Sequence, residues 1–227
     1  MFCDPASTAQ PDDSDRDFLE TDYLDFWIDR NNRRGTETIH DFGFPLLTEP
    51  GIFSPSTKLT NSSAIVVRYM PTMSGGKILD IGTGTGVLAI AAIRAGAASV
   101  TAIDVDQKAV ALARRNAVAN GLEHRINCAL ADMFPDNDDK YDGIIANLPL
   151  IGKAWNTNDQ AIAKLWDRLF AQVRNHLQTG GWLRFTLASF ADESQILHIM
   201  KRHHINASPI VTERKFGMTW SLYHFDR

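Results

Sequence analysis

The fold is decided by residues 77–97, which read KILDIGTGTGVLAIAAIRAGA. The apolar run before Gly82 predicts a buried β-strand, and the run of small apolar residues after Gly86 predicts a buried helix. Between them lies a glycine-rich turn. A strand, a glycine-rich turn and a helix in this order are typical of a unit that binds a ligand at the turn.

The pattern of strand and helix repeats downstream of this unit. Strands are predicted over 99–105, 125–132, 141–148 and 180–189, and helices between them. Such alternation predicts a parallel sheet with helices on both faces. The last 19 residues, PIVTERKFGMTWSLYHFDR, divide at Gly217 into two β-rich halves and predict a hairpin that adds an antiparallel strand.

Composition limits the function classes. The 227 residues carry 23 Lys and Arg against 27 Asp and Glu, a net charge of −4, and 44% are hydrophobic. A core of ordinary size is therefore expected, and the mild acidity argues against nucleic acid or an anionic membrane as the main partner. The two cysteines, Cys3 and Cys128, exclude a disulfide scaffold and favour a cytoplasmic location. No run of 18 apolar residues and no secretory leader pattern is present.

The glycine loop limits the choice of ligand. A dinucleotide fingerprint, G-x-G-x-x-G, needs a third glycine at the position of Val87. Asp80 ends the strand, where a carboxylate repels pyrophosphate but attracts a ligand with an ammonium and a sulfonium group. The loop therefore indicates S-adenosylmethionine as the cofactor, with Gly82 and Gly84 against it. The alternative is a tight turn that binds no ligand.

A second carboxylate ends the next strand. Asp104 follows Gly86 by 18 residues, where a carboxylate accepts hydrogen bonds from both ribose hydroxyls. Its neighbour Val105 is a further candidate for the cofactor site. Asp106 is expected to cap the next helix by accepting from the N–H of Ala109.

The third strand ends at Asp132-Met133. Asp132 is a candidate to receive the adenine amino group. Met133 is a candidate for a backbone contact and an apolar wall. The alternative for Asp132 is a turn-forming role, because an Asp before a proline-containing loop often has one.

With ALADMF (129–134) and ANLPL (146–150), the run ILDIGTGTGVLAIAAIRAGAASVTAIDVD (78–106) resembles class I S-adenosylmethionine-dependent methyltransferases. Within this class it is similar to the small-domain branch, which holds release-factor glutamine and ribosomal-RNA guanine methyltransferases. The likeness covers about residues 51–190. It implies a Rossmann-like α/β fold: a seven-stranded, mostly parallel sheet with an antiparallel C-terminal hairpin strand. It also implies methyl-donor contacts at Asp80, Gly82, Gly84, Asp104 and Asp132.

Asn147 to Leu150 follow the fourth strand, at the edge of the sheet where open α/β folds bind ligands. An Asn amide oxygen and a neighbouring backbone carbonyl can accept two hydrogen bonds from an N–H₂ group and aim its nitrogen at the methyl group. We therefore predict that Asn147 and Pro149 are the catalytic residues, with Asn147 also near the cofactor. The alternative for Asn147 is the cap of a turn.

The acceptor motif departs from the family pattern, which is Asn-Pro-Pro followed by Tyr or Phe, or an Asn-Pro-Pro-Leu-like sequence. Here Leu148 replaces the first proline and Leu150 replaces the aromatic residue that stacks on a planar acceptor such as a flipped base. This absence argues against nucleic acid, and we expect a nitrogen of a small molecule or of a protein side chain. Two alternatives remain. One is a cyclase that turns S-adenosylmethionine into azetidine-2-carboxylate and methylthioadenosine, and the other is a non-catalytic module that binds the cofactor or a protein.

Three regions are predicted: a disordered tail (1–16), an N-terminal helical lid (17–60) and the methyltransferase domain (61–227). Four aromatic residues of the lid and of a later loop are candidates to wall the substrate chamber, although they could instead only pack a helix onto the domain. They are Tyr23, Trp27, Phe53 and Trp155. No histidine has metal-ligand spacing with another histidine or with a cysteine, so no metal is expected.

Overall fold

The structure is a computed structural model that describes residues 16–155 and 157–227. The predicted disordered tail lies outside the described residues, except for Arg16. The helices are α1 (Glu20–Arg33), α2 (Ser62–Arg68), α3 (Val87–Arg94), α4 (Gln107–Ala119), α5 (Asp159–His176) and α6 (Glu193–Arg202). The strands are β1 (Glu37–Ile39), β2 (Leu46–Thr48), β3 (Lys77–Ile81), β4 (Ser99–Asp104), β5 (Ile126–Leu130), β6 (Tyr141–Ala146), β7 (Leu177–Ala188), β8 (Ser208–Lys215) and β9 (Met218–Asp226).

Seven of these strands form one sheet in the order β5-β4-β3-β6-β7-β9-β8. Strand β9 runs antiparallel to both of its neighbours, β7 and β8. The other five strands, β5, β4, β3, β6 and β7, are parallel to one another. The predicted fold class is confirmed. The chain moves outward from β3 in one direction through β4 and β5, and then returns to place β6 on the other side of β3. Such a reversal opens a crevice at the carboxyl ends of β3 and β6.

The loop between β3 and α3 needs glycine for a steric reason. Gly86 has a φ of +81°, and a Cβ added there would lie 3.2 Å from the Cβ of Ala113 on α4. The loop can therefore approach α4 closely only without a side chain at this position. The residues of α3 from Val87 to Ile93 are all buried, as the run of small apolar residues predicts.

Asp106 caps α4, but through a different hydrogen bond from the predicted one. Its side chain accepts from the N–H of Lys108 at 2.8 Å, and not from that of Ala109. The first N–H groups of a helix lack acceptors within the helix. The Asp106 side chain reaches the N–H of the second helical residue, Lys108.

The N-terminal segment is packed into the domain. Tyr23 and Trp27 of α1 are 2% and 7% exposed. Strands β1 and β2 form a separate two-stranded sheet. Asn116 of α4 anchors it by accepting from the Leu47 N–H at 2.7 Å and donating to the Leu47 carbonyl at 2.9 Å. Among the described helices, none is both long and apolar enough to span a bilayer.

Candidate active site

A cavity of about 360 Å³ lies at the carboxyl ends of β3, β4, β5 and β6. The glycine loop forms its floor, and residues of the N-terminal segment and of the loop after β6 complete its walls. The strand order places the ends of β4 and β5 on one side of this floor and the end of β6 on the other. We call these two sides the β5 end and the β6 end of the cavity.

Asp80 lies beneath the glycine loop with half of its carboxylate unsatisfied. Its Oδ2 accepts a hydrogen bond from the Thr83 hydroxyl at 2.7 Å, whereas Oδ1 is buried and has no hydrogen-bond partner in the described chain. Burial raises the pKa of Asp80 to about 7, against the effect of the hydrogen bond from Thr83; the negative charge of Asp104 also raises it, and the backbone N–H of Ala89 lowers it. Asp80 is not among the described residues that line the cavity, so a cationic ligand group there would favour the ionised carboxylate through its charge.

Asp104, at the end of β4, holds the loop and faces the cavity. Its Oδ2 accepts from the Gly84 N–H at 2.9 Å, and its Oδ1 accepts from the Asp106 N–H at 3.0 Å. Each oxygen keeps a second lone pair that can accept from a ligand hydroxyl. Burial raises the pKa of Asp104, against the effect of these backbone hydrogen bonds. Val105 lies at the rim and is 67% exposed.

The end of β5 contributes Asp132 and Met133. Asp132 lines the cavity but is mostly exposed and forms an ion pair with Arg168 of α5 at 3.0 Å. Met133 is buried against the cavity and has a φ of +76°, in the left-handed region that residues with a Cβ rarely adopt. Holding a side chain there costs about 1–3 kcal/mol, and such strain is concentrated at ligand sites. The sequence pattern did not indicate that Arg168 contacts Asp132, because Arg168 is one of several charged residues on an amphipathic helix.

Asn147 follows β6 and is held by three hydroxyl groups. The Thr186 hydroxyl donates to Asn147 Oδ1 at 2.8 Å, and Asn147 Nδ2 donates to the Ser62 and Ser63 hydroxyls at 3.2 and 3.1 Å. Ser62 and Ser63 begin α2 and line the cavity beside Asn147. None of these three partners was found by sequence reasoning.

Pro149 also lines the cavity, but its carbonyl points away from it. That carbonyl accepts from the indole N–H of Trp166 at 3.1 Å, and Trp166 is fully buried in α5. Gly82 lies opposite this loop, where a Cβ would be 3.1 Å from Leu148 Cδ2. The loop after β6 thus rests directly on the glycine loop.

The four predicted aromatic residues lie together at the β6 end. Trp27 and Phe53 have ring centroids 5.5 Å apart, and Phe53 and Trp155 lie 6.3 Å apart with an interplanar angle of 24°. Tyr23 donates to the Leu59 carbonyl at 2.9 Å, and burial raises its pKa.

Two aromatic residues that were not predicted, Phe190 after β7 and Trp220 on β9, line the same end. Leu150 lacks the aromatic ring of the family pattern, and aromatic residues from distant segments line the same cavity.

Charge is distributed unevenly along the cavity. The charged side chains among its described lining residues are Asp104, Asp106 and Asp132, all at the β5 end. Apart from the amide of Asn147, the described side chains that line the β6 end are aromatic, aliphatic or hydroxyl-bearing. Within the described ranges, no three His, Cys, Asp or Glu side chains lie together as a metal site would require.

Comparison with known proteins identifies the family. The sequence profile of the methyltransferase small domain matches residues 43–219. The ribosomal protein L11 methyltransferase of Symbiobacterium thermophilum is 39% identical over 107 residues, which are 46% of this chain and 34% of that protein. A candidate protein N5-glutamine methyltransferase of Methanocaldococcus jannaschii is 24% identical over 173 residues, which are 70% of this chain and 83% of that protein.

Solved structures agree on the fold. A candidate methyltransferase in complex with S-adenosylhomocysteine superposes with a TM-score of 0.66 at 15% identity, over 85% of this chain and 56% of that one. A candidate S-adenosylmethionine-dependent methyltransferase from Streptococcus mutans superposes with a TM-score of 0.65 at 16% identity, over 86% of this chain and 56% of that one. Transfer-RNA methyltransferases also share the fold. The chain spans about a third of the length of the L11 methyltransferases that it matches. With its profile match over most of its length, the chain belongs to the methyltransferase small-domain family.

Proposed function

We propose that the protein N-methylates an uncharged nitrogen that carries hydrogen, on a small molecule or on a protein side chain. The observation that carries this proposal is the place of Asn147. Asn147 follows β6 and lines the same cavity as the glycine loop and the aromatic residues, where an acceptor at the β6 end would meet a cofactor at the β5 end.

Asp80 beneath the glycine loop and the residues of the β5 end fit the cofactor. The Asp80 carboxylate would favour a cationic group of the cofactor through its charge, and Asp104 keeps a free lone pair on each oxygen for ribose hydroxyls. Gly84 leaves open space at the loop, since no atom lies within 4 Å of a Cβ added there. S-adenosylmethionine, when bound, supplies an electrophilic methyl group. Asp132, Met133 and Val105 are proposed as the adenine-side contacts.

At the β6 end, the chain would act by binding and orientation. Asn147 Oδ1 has one lone pair left for an N–H of the acceptor, which would turn the nitrogen lone pair toward the methyl group. The carbonyl of Pro149 already accepts from Trp166, so Asn147 is the better supported of the two predicted catalytic residues. The apolar wall would keep water from the reacting atoms.

An uncharged acceptor is favoured because the described lining of the β6 end has no carboxylate to pair with a cation. Transfer of the methyl group to a neutral nitrogen would leave S-adenosylhomocysteine and a cationic nitrogen, which would lose its proton to solvent. The named activities of the relatives support a protein acceptor. Nucleic acid stays among the acceptors to test, since structural neighbours act on transfer RNA and the aromatic wall could stack on a base.

The test is to incubate the protein with S-adenosylmethionine alone and with each of a panel of acceptors: a glutamine peptide, a lysine peptide, neutral aromatic amines and transfer RNA. Mass spectrometry would quantify S-adenosylhomocysteine and methylthioadenosine. We expect S-adenosylhomocysteine only when a neutral nitrogen acceptor is present. The Asn147→Ala variant should lose this turnover, and the exposed control Asn127→Ala should keep it.

Other outcomes decide between the alternatives. Methylthioadenosine formed without an acceptor would support the cyclase instead. Binding of S-adenosylmethionine without turnover on any acceptor would support a non-catalytic module. Turnover that survives Asn147→Ala would remove the assigned role of this residue.

A further inference from the structure

We propose that Thr186 is a positioning residue that fixes which end of the Asn147 amide faces the acceptor. The orientation of the amide follows from hydrogen bonding alone. Only the effect of this orientation on the acceptor rests on the proposed function. Thr186 lies on β7, is fully buried, and is not among the residues that line the cavity.

A buried hydroxyl group needs an acceptor for its hydrogen. Among the described residues, Asn147 Oδ1 is the one hydrogen-bond partner of the Thr186 hydroxyl, at 2.8 Å. If the amide turned by 180°, Nδ2 would face Thr186, and two donors would point at each other or the hydroxyl hydrogen would lose its acceptor. The Thr186 hydroxyl therefore selects Oδ1 as its neighbour.

The two serines on the other side do not impose the opposite orientation. Ser63 lines the cavity, so its hydroxyl hydrogen can reach water or a ligand when the oxygen accepts from Asn147 Nδ2. The Ser62 hydroxyl lies 3.2 Å from the Thr60 hydroxyl, which can take or supply a hydrogen. With the amide in the observed orientation, every polar hydrogen of the cluster has a partner or access to the cavity.

The start of α2, which carries both serines, is itself held in place. Asn61 donates from Nδ2 to Glu213 Oε2 on β8 at 2.9 Å, and Arg68 at the other end of α2 forms an ion pair with the same carboxylate. Two neighbouring strands of the sheet, β7 and β6, and one helix thus meet at a single amide. Such support is what keeps a site residue within the narrow range of geometry that catalysis needs.

The consequence is that Asn147 offers a ligand one hydrogen-bond acceptor, Oδ1, and no free donor. Both hydrogens of Asn147 Nδ2 are used by the serines, and one lone pair of Oδ1 is free. An acceptor nitrogen with hydrogen is bound with its lone pair turned away from Oδ1. A tertiary amine or a carboxylate finds no free donor on Asn147, although the neighbouring Ser63 hydroxyl hydrogen can reach the cavity.

The test follows the side-chain amide of Asn147 by NMR in ¹⁵N-labelled protein saturated with S-adenosylhomocysteine. The signal is identified by its loss in Asn147→Ala. In the wild type we expect slow exchange of both amide hydrogens with water. Thr186→Val, which removes the hydroxyl but keeps the branched shape, should speed this exchange at least tenfold, and Thr186→Ser should restore slow exchange.

Unchanged exchange in a folded Thr186→Val protein would overturn the proposal. If that variant does not fold, Thr186→Ala provides the same comparison, and slow exchange of the Asn147 amide hydrogens in it would also overturn the proposal. The matched control is Thr212→Val, which removes the exposed hydroxyl that contacts Ser221 on the hairpin and should leave the Asn147 signal unchanged. Failure of the wild type to bind S-adenosylhomocysteine would count against the proposed function. The amide signal would still decide the orientation.

Discussion

Replacing Asp80 by Asn should stabilise the ligand-free protein at neutral pH and weaken cofactor binding. The side chain is fully buried, with one oxygen bonded to Thr83 and the other unpaired. Asn keeps the shape and can accept from Thr83, but it has no charge to desolvate. The carboxylate is therefore expected to cost stability in the free protein that cationic ligand binding would recover.

The magnitude follows from the pKa of Asp80, which burial raises from 3.8 to about 7. Between these values the unfolded chain has released the proton while the folded protein keeps it, so the free energy of unfolding falls as pH rises. Above pH 7 both states are ionised and the effect is constant. At about 1.36 kcal/mol per pH unit, the full cost is about 4 kcal/mol, of which about 3 kcal/mol appears between pH 5 and pH 8.

The assay is urea unfolding of the wild type and Asp80→Asn at pH 5 and pH 8, without ligand. The stability advantage of the variant should grow by about 3 kcal/mol from the lower to the higher pH. Asp138→Asn, which removes an exposed carboxylate, should show no such growth. An advantage of Asp80→Asn that is equal at both pH values would refute the reasoning, since it would mean that Asp80 titrates alike in the folded and unfolded chains.

Three further outcomes are expected. Asn147→Ala should abolish methyl transfer while S-adenosylhomocysteine affinity, measured by calorimetry, stays within about tenfold of the wild type, because this residue is placed at the acceptor. If the ionised form of Asp80 binds the ligand ammonium, S-adenosylhomocysteine affinity should fall about tenfold from pH 8 to pH 6, and a flat profile would exclude this pairing. Trp27→Ala should lower the free energy of unfolding by about 3–5 kcal/mol, because the ring is buried. Trp155→Ala, at 42% exposure, should cost less than about 1 kcal/mol, and a large loss there would assign it to the core.

The sheet and the residues of the β5 end could be placed from the sequence, because their signals are local. A strand, its glycine turn and the following helix are contiguous, so the position of Asp80 relative to Gly84 follows from a few residues. Parallel strands also bring their carboxyl ends to one edge, which is why Asp104 could be assigned to the same site as Asp80. For these residues, the order along the sequence therefore indicates their position at the edge of the sheet.

The β6 end could be predicted only in part, because its geometry depends on contacts between distant segments. Asn147 was identified from its place after a strand, but Thr186 lies 39 residues later in a buried strand where a threonine gives no signal. The helical pattern of α1 was visible as well. Four aromatic residues of the cavity were candidates from the sequence, but Phe190 and Trp220 were not, because they come from distant segments of the chain.

The contact between α1 and the C-terminal hairpin has a consequence for the order of folding. Tyr23 and Trp220 pack edge to face with centroids 6.0 Å apart, although nearly two hundred residues of chain separate them. The glycine loop and the residues of the β5 end lie between Asp80 and Met133, which is a far shorter stretch of chain. Closing the long loop carries the larger entropic cost and slows the contacts that depend on it. During refolding, the surface proposed to bind the methyl donor should therefore form before the proposed acceptor chamber is complete.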